Sequence, residues 1–200
     1  MQKEDKREAI LAAALALFAE QGFHNAPCAQ IAQRAGVAAG TIYRYFESKD
    51  VLIGELYHEI ERSVTNVVLP GYNQQATCRE RFSHMATVIL RYFTEHPQAF
   101  KYIEQFHHSP YGVTLRRDRM LSNHVDCGIY AQLFTEGMQK KAIKDLPIII
   151  LFDLAFGPIM AVARNHTLGF ITLTDELINH VIQACWHAIS TTHESTQTTN

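Results

Sequence analysis

The chain has no C-x-x-C pair. Its four cysteines, Cys28, Cys78, Cys127 and Cys185, are scattered along the chain, which excludes a zinc knuckle or disulfide framework and marks reduced, mostly buried thiols. No sign of charge dominates either: 18 Lys and Arg face 20 Asp and Glu, a net charge of −2, so no partner is advertised by charge. Even residues 1–50 balance six bases (Lys3, Lys6, Arg7, Arg34, Arg44, Lys49) against six acids (Glu4, Asp5, Glu8, Glu20, Glu47, Asp50). The apolar run Ile148–Ala163 holds Asp153 and Gly157-Pro158 and falls short of the about 20 residues a bilayer span needs. Ala9–Ala19 follows a flank of mixed sign with no small-x-small cleavage site before Glu20, so it predicts a helix rather than a secretory leader. There is no G-x-S-x-G, no glycine-rich phosphate loop, and no nucleophile whose base partner the spacing identifies; an enzyme is not expected. No stretch alternates long enough to propose a strand.

What remains is an ordinary globular composition, 47% hydrophobic and 19% charged, in helical phase throughout. Ile10, Leu11, Ala14, Leu17 and Phe18 form one stripe that Gly22 ends. Pro27 suits the first turn of a second helix that Gly36 closes. A third helix is expected over Ala39–Phe46, and Ser48 then caps a fourth that runs to Pro70-Gly71. Further helices follow: one carrying Phe82, Met85, Ile89, Tyr92 and Phe93, one from His96-Pro97 to Ser109-Pro110-Tyr111-Gly112, and three over Leu115–Gly137, Pro147–Gly169 and Asp175–Ser190. The polar tail Thr191–Asn200 is expected to fray. The fold class is all-α, with an N-terminal helical unit over residues 1–47 and a helical domain over residues 48–200.

Two short helices joined by a glycine turn make a helix-turn-helix. Ala32 is small where the helices cross, and Val37 and Ile42 point inward. The outward face of the third helix then carries Ala39, Gly40, Thr41, Tyr43, Arg44 and Tyr45, small at its start and ending in hydroxyls and a guanidinium. Such a face approaches a duplex closely and reaches phosphates or base edges. Lys49, in the first turn of the fourth helix, adds a phosphate-seeking charge.

The motifs Ile10-Leu-x-Ala-Ala-x-x-Leu-Phe18, Gly22-Phe23, Ile31-Ala32-x-x-Ala35-Gly-Val37, Gly40-Thr-Ile-Tyr-x-Tyr-Phe46 and Ser48-Lys49 resemble, in register, the N-terminal domain of the TetR family of transcriptional regulators. The resemblance covers roughly residues 6–60. It implies that the third helix enters the major groove with Thr41, Tyr43, Arg44 and Tyr45 facing DNA, and that Lys49 grips the backbone. Two hydroxyls common in the family, before the second helix and opening the third, are replaced here by Ala26-Pro27 and Ala38, so specificity leans on the third helix.

The remaining two thirds resemble the family in length and helical pattern alone. Helical phase puts Met85, Ile89, Phe93, Ile103, Phe106, Met120, His124, Phe134, Asp153 and Phe156 forward as pocket residues, a surface suited to a hydrophobic or aromatic ligand. Asp153, the least expected residue in its run, either binds a polar group of the ligand or pairs with Arg164 or nearby backbone. His107-His108 with His84 or His124 is the one gathering that suggests a metal, but adjacent helical residues diverge by about 100° and no spaced acid or cysteine joins them. No metal or other cofactor is expected. Ile148–Ala163 and the stripe Leu177, Ile178, Val181, Ile182, Cys185, Ala188 and Ile189 are read as a dimer-forming helix pair rather than a purely internal one. The function expected is a cytoplasmic homodimeric repressor that releases a double-stranded DNA operator on binding a small effector, with no membrane partner. The rival is a helix-turn-helix protein whose C-terminal half recruits a protein and has no pocket.

Overall fold

The computed structural model describes residues 3–121 and 128–191. Among these there are ten helices and no strand, Ile143 and Ser190 making one isolated antiparallel bridge. The order is α1 (Lys3–Asn25), α2 (Cys28–Arg34), α3 (Ala39–Ile42), α4 (Lys49–Val68), α5 (Cys78–Glu95), α6 (Pro97–His107), α7 (Pro110–Leu121), α8 (Gly128–Gln139), α9 (Ile148–Thr167) and α10 (Asp175–Ile189). The all-α class read from the sequence is the observed one.

The boundaries follow local chemistry. Helical dihedrals in α1 break at Gly22, where φ is 79° and ψ 167°. The Val51 amide donates to Ser48 Oγ at 3.2 Å and opens α4. Thr77 and Glu80 close a reciprocal capping box on α5, each side chain accepting from the other's backbone amide at 3.2 and 2.9 Å. The Leu177 amide donates to Thr174 Oγ1 at the start of α10.

Two expectations about helices are corrected. The third helix stops at Ile42 rather than Phe46: the Arg44 and Tyr45 amides donate to Thr41 and Ile42 carbonyls, three residues back. Thr41, Ile42, Tyr43 and Tyr45 are β-branched or aromatic residues that lose side-chain freedom in a helix, while Ile42 and Phe46, 0% and 1% exposed, hold the turn to the core. The helix expected from Leu115 begins earlier, at Pro110, as α7 and is described to Leu121; residues 122–127 lie outside the described residues, and α8 is described from Gly128. Ser109-Pro110 ends α6 and also starts α7, because a proline has no amide to leave unpaired at a first helical position.

The helix α9 continues past the apolar run to Thr167, and by length and composition it is long and apolar enough to cross a membrane. In this fold it packs along α10 with Leu151, Ala155, Phe156, Ile159 and Ala163 buried.

The chain gathers into two compact units: Met1–Asn66 with Glu95–Leu121, and Val67–Thr94 with Ser122–Asn200. The first has an aromatic core, with Phe18–Phe23 and Phe23–Tyr102 ring centroids 5.3 and 5.5 Å apart and Tyr57 stacked on Phe106 at 4.1 Å. Within it the buried Tyr102 hydroxyl donates to the Ile53 carbonyl of α4, and burial holds that phenol protonated far above its usual range. The second unit packs Phe82 against Phe156 and Trp186, with Tyr130, Phe134 and Phe152 around Phe156.

Candidate nucleic-acid interface

The turn between α2 and α3 is set by one glycine. Gly36 has φ +67°, and around it the Val37 amide donates to the Ala32 carbonyl and the Gly36 amide to Gln33, the paired 6→1 and 5→2 bonds of a Schellman cap. Ala32 is 1% exposed beneath this turn and Ile42 0%. These anchors leave Ala39, Gly40 and Arg44 exposed, Tyr43 59% exposed, and Thr41, Tyr45 and Lys49 half-buried. Pro27 and Ala38 occupy the N-cap positions of α2 and α3 in extended conformation, and neither makes a side-chain cap bond. A serine or threonine there is ordinarily worth about 1 kcal/mol.

The charges are distributed unevenly. Among the three arginines of residues 1–50, Arg7 donates to Glu55 and Glu59 at 2.7 and 2.8 Å, with its guanidinium 5.7 Å from the Phe46 ring centroid. Arg34 forms a two-bond fork with Glu20 at 2.7 and 2.8 Å, which holds the Glu20 carboxyl below its usual range. Arg44 has neither an ion pair nor a hydrogen bond among the described residues, and lies exposed just past α3. Lys49 projects its ammonium 5.9 Å from the Phe18 ring centroid. The neighbouring Cys28 thiol, at the start of α2, raises the Tyr43 phenol above its ordinary value. Nothing in the sequence pairs residue 28 with residue 43; only the crossing of two short helices does.

Gly40 offers a separation of packing from binding. A Cβ added there meets nothing within 4 Å, so Gly40→Ala is expected to keep or raise stability, by up to about 1 kcal/mol of helix propensity. If the start of α3 approaches a duplex closely, the same variant loses operator affinity. Thermal unfolding beside an operator titration checks this, and an affinity equal to that of the unaltered chain would remove the close-approach role.

The sequence-derived pocket residues fall in two places. Met85, Ile89 and Phe93 lie buried along α5, and Phe134 and Phe156 are buried with ring centroids 6.4 Å apart, all in the second unit. Asp153 is exposed on α9. Ile103 and Phe106 belong to the first unit, where Phe106 stacks on Tyr57 of α4. His124 and the side chain of Met120 lie outside the described residues, as does Cys127. No group of three or more His, Cys, Asp or Glu that could hold a metal occurs among the described residues. Sequence reading missed Arg81, buried on α5; its place three residues after Cys78 and one before Phe82, inside the apolar phase of that helix, is the signal that finds it.

Residues 10–56 match the family described as bacterial regulatory proteins, tetR family, and residues 77–190 match the tetracyclin repressor-like C-terminal domain. The fatty acid metabolism regulator protein of Bacillus subtilis (strain 168) is 29% identical over 163 residues, covering 79% of this chain and 81% of that protein. The solved structure of a putative TetR-family regulator from Vibrio parahaemolyticus superposes with a TM-score of 0.76 at 32% identity, covering 93% of this chain and 99% of the other. The fold is shared with a transcriptional regulator FadR from Bacillus subtilis solved in complex with stearoyl-CoA, with a TM-score of 0.73 at 22% identity, covering 91% and 98%. The two family matches cover the helix-turn-helix and, from residue 77, the helices of the C-terminal part, relatives of this kind regulate transcription rather than catalyse reactions, and the chain therefore belongs to the TetR family of DNA-binding transcriptional regulators.

Proposed function

We propose that the chain is a cytoplasmic homodimeric repressor in which residues 1–47 hold the operator and residues 48–200 bind an effector and dimerise. The observation that carries the DNA reading is the Arg44–Tyr43 pair: an exposed guanidinium with no internal partner beside a 59% exposed tyrosine, in a segment, residues 1–50, whose other two arginines are paired with carboxylates of the same chain. A guanidinium in a major groove reads guanine through two bonds. Arg44→Ala is expected to weaken specific operator binding by about 1–3 kcal/mol, and Lys49→Ala to weaken all sequences alike with a shallower salt slope. Operator titrations at several salt concentrations measure both, and undiminished binding by the two variants would dismiss the assignment.

Dimerisation is supported by apolar surface left uncovered within the chain. Ile150 and Leu154 on α9 and Leu177 on α10 are exposed, one or more turns apart on helices whose other faces are buried. Two recognition helices are needed to span half-sites about 34–36 Å apart, so the operator complex should hold two chains, a stoichiometry that sedimentation reads.

For the effector we propose a long acyl ligand with an anionic end, its apolar body against Met85, Ile89, Phe93, Phe134 and Phe156. The name of the 29% identical relative and the aromatic and sulfur character of these side chains support this class. An open groove of about 450 Å3 runs beside α8, walled in part by Gln132, Thr135, Glu136 and Ile148; the five apolar side chains do not line it. Effector and operator then oppose each other, each lowering affinity for the other by the same factor. Loss of operator binding on addition of stearoyl-CoA tests the class, and an unchanged operator affinity would reject it.

A further inference from the structure

Among the described residues Arg81 is the buried charged side chain, with 1% of its surface exposed. Its Nε donates to the Tyr72 hydroxyl at 2.9 Å and its Nη1 to Glu136 Oε2 at 2.6 Å, while the guanidinium lies 5.3 Å from the Tyr72 ring centroid. Nη2 is buried and has no hydrogen-bond partner. A carboxylate meets arginine best through two parallel bonds, yet Glu136 supplies one. Its other oxygen accepts from Gln132 Nε2 at 2.8 Å, and Lys140 Nζ lies 3.8 Å from Oε2. Gln132 and Lys140 sit four residues either side of Glu136 on the chain, so the carboxylate is shared with its own neighbours and the fork is left half used. Two buried N–H bonds without an acceptor are costly.

Glu136, unlike Arg81, reaches solvent: its side chain is 29% exposed and forms part of the wall of the groove beside α8. We infer that Arg81 is the seat for the anionic end of the effector, a carboxylate or a phosphate, and that Glu136 occupies this seat until the ligand displaces it. The inference rests on the acyl-ligand reading above. An incoming anion accepts from Nη1 and Nη2 together, completing the fork, while Glu136 turns into water. One negative charge replaces another, so the buried guanidinium stays neutralised throughout. An alcohol offers the guanidinium a single neutral acceptor and no charge to replace that of Glu136, so it does not displace Glu136.

The test uses the full chain, calorimetric titration and operator anisotropy, with three probes: stearate, stearoyl-CoA and the uncharged stearyl alcohol. Removing one charge-assisted fork is expected to weaken the charged probe by about tenfold or more in Arg81→Gln. Arg81→Lys, which keeps the charge without the fork, should be weakened too. Glu136→Gln, which removes the competing carboxylate, should bind the charged probe tighter and respond at lower concentration, and it decides the matter if Arg81→Gln does not fold. Stearyl alcohol should be indifferent to all three substitutions. Arg81 dependence with stearate marks a carboxylate in the seat; dependence with stearoyl-CoA alone marks a phosphate. Charged probes that bind the unaltered chain but are insensitive to Arg81 and Glu136 would overturn the seat and leave the acyl reading standing. If no charged probe binds the unaltered chain, the acyl reading fails and the seat falls with it.

Discussion

Phe46→Ala is expected to remove about 3–5 kcal/mol of unfolding free energy, the usual loss for truncating a buried phenylalanine. Phe46 is 1% exposed, its amide donates to the Ile42 carbonyl at 2.9 Å, and its ring underlies the Arg7 guanidinium. With α3 only four residues long, this ring and Ile42 supply the purchase that internal helical bonds cannot. The variant should therefore lose operator binding even under conditions where most of it is still folded. Arg7 would also lose its aromatic contact while keeping Glu55 and Glu59. Urea unfolding reads the energy, and Phe46→Leu, which restores most of the volume, should recover much of both properties. A midpoint in Phe46→Ala equal to that of the unaltered chain would show that the end of α3 is held some other way.

Gly112→Ala is expected to cost at least the about 1–3 kcal/mol of ordinary overpacking. A Cβ at position 112 would lie 2.2 Å from the Phe106 carbonyl oxygen and 2.8 Å from His107 Cα. These are backbone atoms that cannot rotate away, so α7 must lift from the end of α6. Gly54→Ala, where an added Cβ meets nothing within 4 Å, is the control that should keep stability or raise it by up to about 1 kcal/mol. The neighbouring Tyr111 gives a second readout. Its hydroxyl donates to Asp50 Oδ1 at 2.6 Å, and this bond, followed by partial burial, pushes the phenol up to about 12. A raised folded pKa in an acid means that the bond stabilises below the unfolded value near 10 and is lost as pH climbs from there towards 12. Lifting α7 should return one tyrosine to ordinary titration. Absorbance titration showing the same late-ionising tyrosine in Gly112→Ala would mean that the corner absorbs the methyl group without moving.

The helix-turn-helix was legible because its cues are local: a glycine that must turn left-handed, a small residue at a crossing, apolar anchors in phase. Ala32, Gly36, Ile42 and Phe46 could be placed from spacing alone. The length of α3 was not, since propensity at Thr41, Tyr43 and Tyr45 competes with anchoring, and anchoring does not require helical bonds. Pro110 was read as a stop when it also begins α7, as a proline at a first helical position can do either. The pocket residues suffered from a different limit: periodicity shows which face of a helix is buried, but not against which partner. It put Ile103 and Phe106 in one list with Met85 and Phe134, whereas Phe106 stacks on Tyr57. The Cys28–Tyr43 contact and the Tyr111–Asp50 bond join residues brought near by folding, and no spacing rule reaches them.

The Arg34–Glu20 fork has a consequence for how the protein searches DNA. Non-specific attraction to a duplex scales with the number of phosphates a protein neutralises and the counterions it thereby releases. Here Arg34 and Arg7 are spent on carboxylates of the same chain, and the protein as a whole carries a charge of −2. Two of the six bases of residues 1–50 are thereby withdrawn from phosphate, so bulk DNA is expected to compete less strongly for the free protein. On the repressor reading proposed above, occupancy of an operator is then expected to follow the fit of a few side chains at base edges, and a change in that fit to translate directly into release.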